Sequence, residues 1–256
     1  MSAVPANLRI EGPYTAVVIG ARGGVGQAFV ASLQASPEVA HIVATGRDLH
    51  WCRDRSEHPK VVRAQMDLSD EASVAKVAEQ AAEHAVPLRL VVNASGLLHD
   101  GALQPERSLR DLDPAHFARV LDVHTVGVAS LLKHFLPRFP RSGRSVFATL
   151  SARVGSIGDN RLGGWYSYRA SKAAQNMLVK CAAIEAARRQ PELVALALHP
   201  GTVHSALSQP FTGRLRPEHA VFTPEESCQY LCQVIHDRDA KDSGGFYAWD
   251  GQAIPW

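Results

Sequence analysis

Cysteine is scarce in this sequence, with four residues among 256. Cys228 and Cys232 lie four positions apart on a predicted helix, and neither Cys52 nor Cys181 completes a zinc-type spacing with them. A disulfide scaffold and a structural zinc site are therefore excluded, and no metal ligand set is predicted. We expect reduced thiols in the core or on the surface.

Long apolar runs and blocks of like charge are also missing. No run of about 18 apolar residues suits a membrane-spanning helix, and the N-terminal residues lack the basic start and apolar stretch of a secretion signal. Lys and Arg (27) nearly balance Asp and Glu (25), and neither sign is clustered. The sequence therefore predicts a soluble, cytoplasmic protein that binds neither nucleic acid nor membranes.

The sequence does have an alternation of short apolar runs with longer helical patterns, and its 46% hydrophobic content suffices for one large core. The predicted strands are 15–19, 41–45, 61–65, 88–93, 145–150, 193–198 and 245–249. The predicted helices are 24–35, 70–85, 114–135, 166–189 and one after Pro224. Continuous apolar strands between helices indicate a parallel sheet covered on both faces, with ligands at the carboxyl ends of the strands. We predict one α/β domain over 1–256, a doubly wound Rossmann fold of about seven mostly parallel strands, with a flexible or loosely packed segment over 1–13.

Tyr168 and Lys172 lie four residues apart where a helix is predicted to start, so both side chains reach the same side of that helix. A cation a few Å from a phenol stabilises the phenolate and lowers the phenol's pKa from its usual ~10. Such a phenol is suited to acid–base chemistry at neutral pH. Because the chain has five tyrosines and six lysines, the pair alone is weak evidence and needs support elsewhere.

A glycine-rich turn, with Gly20, Gly24 and Gly26, follows the first predicted strand. Glycine allows a tight turn and a close approach of a pyrophosphate to the helix N-terminus. The second strand ends in Thr45-Gly46-Arg47 with no acid at its tip. An acid there would bind the 2′-hydroxyl of NAD, whereas an arginine accommodates a 2′-phosphate. Arg47, with Arg22 in the turn, therefore favours NADP(H) over NAD(H); the alternatives are a structural turn and a solvated loop charge.

Further motifs appear in a characteristic order: Asp67-Leu68 after the third strand, Asn93-Ala94-Ser95-Gly96 after the fourth, Tyr168 with Lys172, and Pro200-Gly201 after the sixth. With the glycine turn, they make the chain resemble the short-chain dehydrogenase/reductase family over about 14–256, particularly the small carbonyl-reductase-type members.

That resemblance implies a set of roles. Asp67 would hold the adenine amino group, Asn93 and Gly96 would shape the floor of the cofactor site, and the loop 200–203 would meet the nicotinamide carboxamide. Tyr168 would exchange a proton with the substrate, and Lys172 would hold the ribose. The implied cofactor residues are Gly20, Arg22, Gly24, Val25, Gly26, Arg47, Asp67, Leu68, Asn93, Ala94, Gly96, Lys172, Pro200, Gly201 and Val203.

Two positions depart from the family pattern. His124 occupies the place of an asparagine that helps to bind a water in a proton relay, and a histidine also donates and accepts hydrogen bonds. Ala152 occupies the register of the catalytic serine. Ser151 is the first candidate for that role and Ser156 the second, with neither as the remaining alternative.

The predicted function is NADP(H)-dependent reduction of a small carbonyl compound, or oxidation of an alcohol, with Tyr168, Lys172, Ser151 and His124 as catalytic residues. The alternative is an NADP(H)-binding regulatory or sensor protein with little or no turnover. A variable substrate lid is expected over 204–224. The residues that would line an apolar pocket near it, or else pack a plain loop, are Leu97, Trp165, Leu207 and Phe211.

The resemblance also implies a homodimer or homotetramer built on the helices at 114–135 and 166–189. Val120, Val128, Leu131 and Leu178 recur at helical spacing on these helices. The alternative is that these residues are used inside the monomer.

Overall fold

The structure, a computed structural model, describes residues 6–54, 58–212 and 220–256. The strands are β1 (Tyr14–Ile19), β2 (Val39–Gly46), β3 (Val61–Gln65), β4 (Leu88–Asn93), β5 (Ser145–Leu150), β6 (Leu193–His199), β7 (Thr202–Val203), β8 (Val221–Phe222) and β9 (Gly245–Ala248). The helices are α1 (Gly24–Gln34), α2 (Leu49–Arg53), α3 (Glu71–Ala82), α4 (Pro114–Leu121), α5 (Gly127–Phe135), α6 (Tyr166–Ala186), α7 (Gln209–Thr212) and α8 (Pro224–Asp237).

Within these ranges, seven strands form one parallel sheet in the order β3-β2-β1-β4-β5-β6-β9. The chain winds outward in one direction from β1 to β3 and in the other from β4 onward. Loops after β1 and β4 therefore separate and leave a crevice at their carboxyl ends. The predicted doubly wound single-domain fold is confirmed.

Helices cover both faces of the sheet, which explains why its strands are apolar without alternation. On one face, Phe29 of α1 and Leu231 of α8 belong to one buried cluster. On the other, Val77 of α3, Leu131 of α5 and Val179 of α6 belong to a second. β1 and β5 are buried at every position.

The N-terminal segment differs from the prediction over 6–13, whereas residues 1–5 lie outside the described residues. Ala6, Leu8 and Ile10 are buried in the same cluster as α1 and α8. The Ala6 amide donates to the Ser32 carbonyl at 3.2 Å, and Arg144 Nε donates to the Leu8 carbonyl at 2.9 Å. Alternate apolar residues therefore pin this segment to the core, and the expectation of loose packing is wrong here.

The predicted helix over 114–135 is interrupted. A π-helical segment, Asp122–Val126, separates α4 from α5. Such segments are rare in proteins, and many of those that occur lie at functional sites. This one carries His124, whose position therefore cannot be read from ordinary α-helical spacing.

A short parallel pair, β7 with β8, was not predicted, because two-residue strands leave no pattern. It joins the chain after β6 to the start of α8. Of the predicted lid over 204–224, residues 213–219 lie outside the described part of the chain.

The four apolar residues predicted to form a subunit interface are not exposed on the surface of the subunit. Val128 and Leu131 are buried in one core cluster, against which Leu178 is half-buried, and Val120 is buried in a second cluster with Tyr168. They are therefore used inside the monomer, as the alternative held. Throughout the described ranges, no helix combines the length and apolar character needed to cross a bilayer.

Candidate active site

A cleft of about 1790 Å³ lies at the carboxyl ends of the strands, over the crevice between β1 and β4. Most of the predicted cofactor residues line it: Gly20, Arg22, Gly24, Val25, Arg47, Asp67, Leu68, Ala94, Gly96, Lys172, Pro200, Gly201 and Val203. Tyr168 and Ser151 line it as well. Gly26, Asn93, His124 and Ser156 are not among its lining residues.

The glycine turn forms one end of the cleft. Gly20 has φ +75°, and a Cβ there would lie 2.8 Å from the Ser95 amide nitrogen. α1 begins after Gly23 without a side-chain cap or an acidic residue in its first turn. Free N–H groups and the helix dipole therefore favour an anion at this helix start. This donor set fits the pyrophosphate of a dinucleotide.

The two arginines predicted to contact a 2′-phosphate differ in their surroundings. Arg22 Nη1 lies 2.6 Å from Asp48 Oδ2 and is therefore neutralised in part. Asp48 also caps α2 by accepting from the His50 and Trp51 amides. Arg47 is exposed, lines the cleft and has no ion-pair partner among the described residues. Sequence analysis missed Asp48, although its position before a short helix is a cap signal.

Asp67 lies after β3 with one carboxylate oxygen already used. Its Oδ1 accepts from the Ser69 amide at 3.0 Å and from the Ser69 hydroxyl at 2.7 Å. Burial alone would raise the pKa of Asp67, but these bonds and the Arg47 charge lower it below its ordinary value. The carboxylate is therefore ionised at neutral pH and keeps Oδ2 as an acceptor.

Asn93 shapes the loop after β4 from below. Its Nδ2 donates to Thr149 Oγ1 at 3.0 Å, and its Oδ1 accepts from the Ser95 amide at 3.1 Å and hydroxyl at 2.6 Å. The side chain is almost wholly buried. It therefore orients Ala94, Ser95 and Gly96, which do line the cleft.

Tyr168 and Lys172 occupy the first turns of α6, as the spacing predicts. Lys172 Nζ lies 5.7 Å from the centroid of the Tyr168 ring. Nζ donates to the Leu150 carbonyl at 2.8 Å and to Gln175 Oε1 at 3.0 Å. Burial lowers the pKa of Lys172 to about 7 and raises the pKa of Tyr168 well above its ordinary value.

The expectation that Lys172 lowers the pKa of Tyr168 is therefore wrong for this structure. Both groups are buried, so desolvation disfavours the phenolate and the ammonium alike. Because the lysine itself is partly neutral near pH 7, its charge does not offset the cost of burying a phenolate. Tyr168 thus keeps its proton at neutral pH, which suits a proton donor.

Gln175 is a supporting residue that sequence analysis missed. It lies three residues after Lys172, is buried and donates through Nε2 to Thr149 Oγ1 and the Leu150 carbonyl at 3.2 and 3.1 Å. Its Oε1 accepts from Lys172. A glutamine on the helix face of Lys172 was the available signal.

His124 is committed to internal hydrogen bonds. Its Nε2 accepts from the Leu97 amide at 2.8 Å, so Nδ1 carries the proton and donates to Ser171 Oγ at 3.1 Å. Burial, with a smaller effect of the Lys172 charge, lowers the pKa of His124 well below its ordinary value. The expected direct part in a proton relay does not fit, because both ring nitrogens are used and the ring does not line the cleft. Its contacts are those of a positioning residue.

The serine candidates are separated by the structure. Ser151 lines the cleft and donates to Asn176 Oδ1 at 2.7 Å. Ser156 donates to the Pro255 carbonyl and accepts from the Asp159 amide at 3.0 Å, which ties down the loop before α6. Ser151 is therefore the candidate that reaches the cleft, although its hydroxyl proton is engaged by Asn176.

The part of the cleft around Tyr168 is apolar. Leu97, Trp165 and Leu207 line it and pack in one cluster with Tyr168; the side chain of Phe211 lies outside the described residues. Trp165 has φ 51°, a left-handed conformation that is costly for a bulky residue. It places the indole 6.1 Å from the Tyr168 ring, centroid to centroid. Such strain is frequent at functional sites.

Comparison with known proteins agrees with this geometry. Residues 14–214 match the sequence profile of the family described as short chain dehydrogenase. The chain is 28% identical over 244 residues to 1-hydroxy-2-glutathionyl-2-methyl-3-butene dehydrogenase of Rhodococcus sp. (strain AD45), covering 94% of this chain and 99% of the relative. It is 27% identical over 210 residues to NADP-dependent (R)-specific alcohol dehydrogenase of Lentilactobacillus kefiri, covering 80% and 79%. The structure resembles NADPH-bound carbonyl reductase from chicken fatty liver with a TM-score of 0.82 and 26% identity, covering 96% and 95%.

The buried Lys172 predicts a specific pH dependence of stability. Its folded-state pKa of about 7 lies below its ordinary value of 10.5, so between these values the unfolded chain binds more protons. The free energy of unfolding should therefore rise from pH 7 to 9, by up to about 1.4 kcal/mol per pH unit. Lys172→Met should flatten the rise. Urea unfolding at several pH values measures it.

Lys180→Met is the matched control, because Lys180 is exposed on the same helix. It should keep the rise seen for the wild type. Equal slopes in the wild type and Lys172→Met would show that Lys172 is not a strained, desolvated ammonium.

Proposed function

This chain belongs to the short chain dehydrogenase family, and we propose that it is an NADP(H)-dependent oxidoreductase that reduces a carbonyl compound, or oxidises the alcohol in the reverse direction. One observation carries the proposal: a buried phenol, Tyr168, lies beside Lys172 in a cleft whose other end is a glycine turn with an uncapped helix start. A protein that only binds a nucleotide has no need of a buried acid–base pair.

A nicotinamide cofactor, when bound, supplies or accepts the hydride. We assign its pyrophosphate to the glycine turn and the start of α1, its adenine to Asp67, and its ribose to Lys172. The loop from Pro200 to Val203 is the proposed contact for the carboxamide. These donor and acceptor types fit the groups they would hold.

Tyr168 is the proposed proton donor to the carbonyl oxygen as the hydride arrives at carbon. Its raised pKa keeps the proton available at neutral pH. The phenolate that forms lies near Lys172, whose pKa of about 7 lets it take up a proton as that negative charge develops. Ser151 Oγ already donates to Asn176, so we assign it an acceptor contact in the cleft rather than a donor role.

The proposed preference for NADP(H) rests mainly on Arg47. A 2′-phosphate needs a positive partner once it is desolvated, and Arg47 forms no ion pair among the described residues, its interaction with the Asp67 carboxylate being of longer range. Arg22 shares its charge with Asp48 at 2.6 Å and contributes less. The NADPH in the chicken carbonyl reductase structure and the NADP dependence named for the Lentilactobacillus kefiri relative support the same choice.

Removal of the free guanidinium tests this preference. Arg47→Gln should weaken NADPH binding about tenfold or more and leave NADH binding nearly unchanged, since a charge-assisted hydrogen bond is worth roughly 1.5–3 kcal/mol. Arg22→Gln should have a smaller effect because of Asp48. Isothermal titration of NADPH and NADH against each variant measures the changes in affinity. Equal wild-type affinities, or equal losses for both cofactors, would contradict the assignment.

Replacement of the phenol tests catalysis. Tyr168→Phe keeps the ring but removes the proton, so kcat/KM with NADPH and a reducible carbonyl should fall about 10²- to 10⁴-fold while the Kd for NADPH stays near that of the wild type. Stopped-flow kinetics and titration give the two quantities. An unchanged rate would exclude Tyr168 as the proton donor.

A regulatory or sensor protein that binds NADP(H) with little turnover is the second candidate. The internal hydrogen bonds of His124 and Ser151 favour it, because two groups expected in catalysis are committed elsewhere. Tight NADPH binding without oxidation by any member of a broad carbonyl panel would favour this candidate over the enzyme.

We also propose assembly into a homodimer or homotetramer through α6. Met177, Cys181 and Ile184 are exposed and recur at i, i+4 and i+7, forming an apolar stripe. Met177→Glu with Ile184→Glu should yield monomers in sedimentation at micromolar concentration. Leu109→Glu, at a residue that is also exposed but lies outside α6 in the turn before α4, should leave assembly unchanged. A monomeric wild type would contradict the proposal.

A further inference from the structure

The wall of the cleft formed by the loop between β5 and α6 and by the first turn of α6 carries an excess of positive charge. Arg153 and Arg161 on the loop and Arg169 on the helix all line the cleft. Asp159 is the one carboxylate that lines it between 151 and 172. Three guanidinium charges therefore face one carboxylate charge on this wall.

Asp159 neutralises only Arg153, whose Nη1 lies 3.2 Å from its Oδ2. Arg161 Nη1 donates to the Gly158 and Asn160 carbonyls at 2.9 and 3.1 Å.

Arg169 donates through Nε to the Gly164 carbonyl at 2.9 Å and through Nη1 to the Val154 carbonyl at 3.2 Å. Like the bonds of Arg161, these go to carbonyls, which fix a guanidinium in place without cancelling its charge. A guanidinium has five N–H donors, so Arg161 and Arg169 each retain donors and lack a carboxylate partner among the described residues.

The loop that carries Arg161 is held in shape before any ligand arrives. The Gly158 amide donates to the Trp256 carbonyl at 2.7 Å, and the Gly163 amide donates to Asn160 Oδ1 at 3.1 Å. Gly163 and Gly164 adopt the left-handed conformations that the turn into α6 requires. Binding of a ligand to Arg161 therefore costs little conformational entropy in this loop.

Apolar side chains line the same wall of the cleft. Val154 packs with Leu97, Trp165 and Leu207 around Tyr168, and all of these residues line the cleft. The glycine turn, Arg22 and Arg47 follow β1 and β2, whereas Arg161 and Arg169 belong to the connection after β5 and to α6. The second group of arginines is therefore distinct from the proposed cofactor phosphate contacts.

We infer that the substrate is a carbonyl or alcohol compound with an apolar body and a carboxylate, and that Arg161 and Arg169 bind this carboxylate. The inference rests on the proposed function, because it takes Tyr168 as the group that meets the reacting oxygen. A planar guanidinium matches the two oxygens of a carboxylate, and the apolar cluster accommodates the carbon skeleton between the two ends.

A pair of aldehydes that differ only in charge tests the inference with the intact protein. The kcat/KM with NADPH is measured for 4-formylbenzoate and for its methyl ester. The wild type should prefer the carboxylate about tenfold or more, and Arg161→Gln should lower this ratio about tenfold. Asp159→Asn should raise the ratio, because it frees Arg153.

Arg188→Gln is the control, since Arg188 is exposed in the turn after α6 and does not line the cleft; the ratio should not change. A ratio that rises in Asp159→Asn and falls in Arg161→Gln cannot come from general damage to the loop. Reduction of the ester at least as fast as the carboxylate, or a ratio that Arg161→Gln leaves unchanged, overturns this inference alone. Reduction of other carbonyl compounds but of neither of these aldehydes also overturns this inference alone, whereas reduction of no carbonyl compound in a broad panel overturns the proposed function and this inference with it.

Discussion

Burial of the Lys172 ammonium is the constraint on which the site depends. A lone ammonium in the core would be costly, and here the carbonyl at the end of β5 and the amide oxygen of Gln175 accept hydrogen bonds from it. Gln175 in turn bonds to Thr149, which also accepts from Asn93 of β4. One polar network thus ties α6 to two neighbouring strands. The same burial sets the pKa of Lys172 near neutrality and keeps Tyr168 protonated.

Around this network the site has two layers. The lower layer consists of buried side chains whose hydrogen bonds are made within the protein, of which His124 and Asn93 are the clearest cases. It orients the loop after β4, which carries Gly96 and Leu97. The upper layer lines the cleft and keeps unused chemistry: the N–H groups at the start of α1, the guanidiniums of Arg47 and Arg161, and Asp67 Oδ2. A preorganised binding site requires such rigid support, together with groups that still have hydrogen-bond donors or acceptors available for a ligand.

The sheet, the glycine turn and the Tyr168–Lys172 pair could be predicted because each depends on local pattern: continuous apolar strands, glycines between a strand and a helix, and a four-residue spacing on one helix. The other features depend on contacts between distant residues. His124 is committed to internal hydrogen bonds because the Leu97 amide, 27 positions away, donates to one of its nitrogens. The burial of Leu8 depends on α1 and α8, and the pairing of Arg22 depends on Asp48 beyond the next strand. The direction of the Tyr168 pKa shift follows from the burial of the ring by distant parts of the chain, which no spacing reveals.

We propose that a nicotinamide cofactor held in the cleft would supply the hydride to a carbonyl carbon, while Tyr168 donates the proton to the carbonyl oxygen. The most direct test follows the hydride itself, with NADPH carrying deuterium at both positions of nicotinamide C4 and an aldehyde in a single turnover. We expect mass spectrometry to find an alcohol with one deuterium on the former carbonyl carbon. Full binding of the labelled NADPH with no deuterium in any product would contradict it.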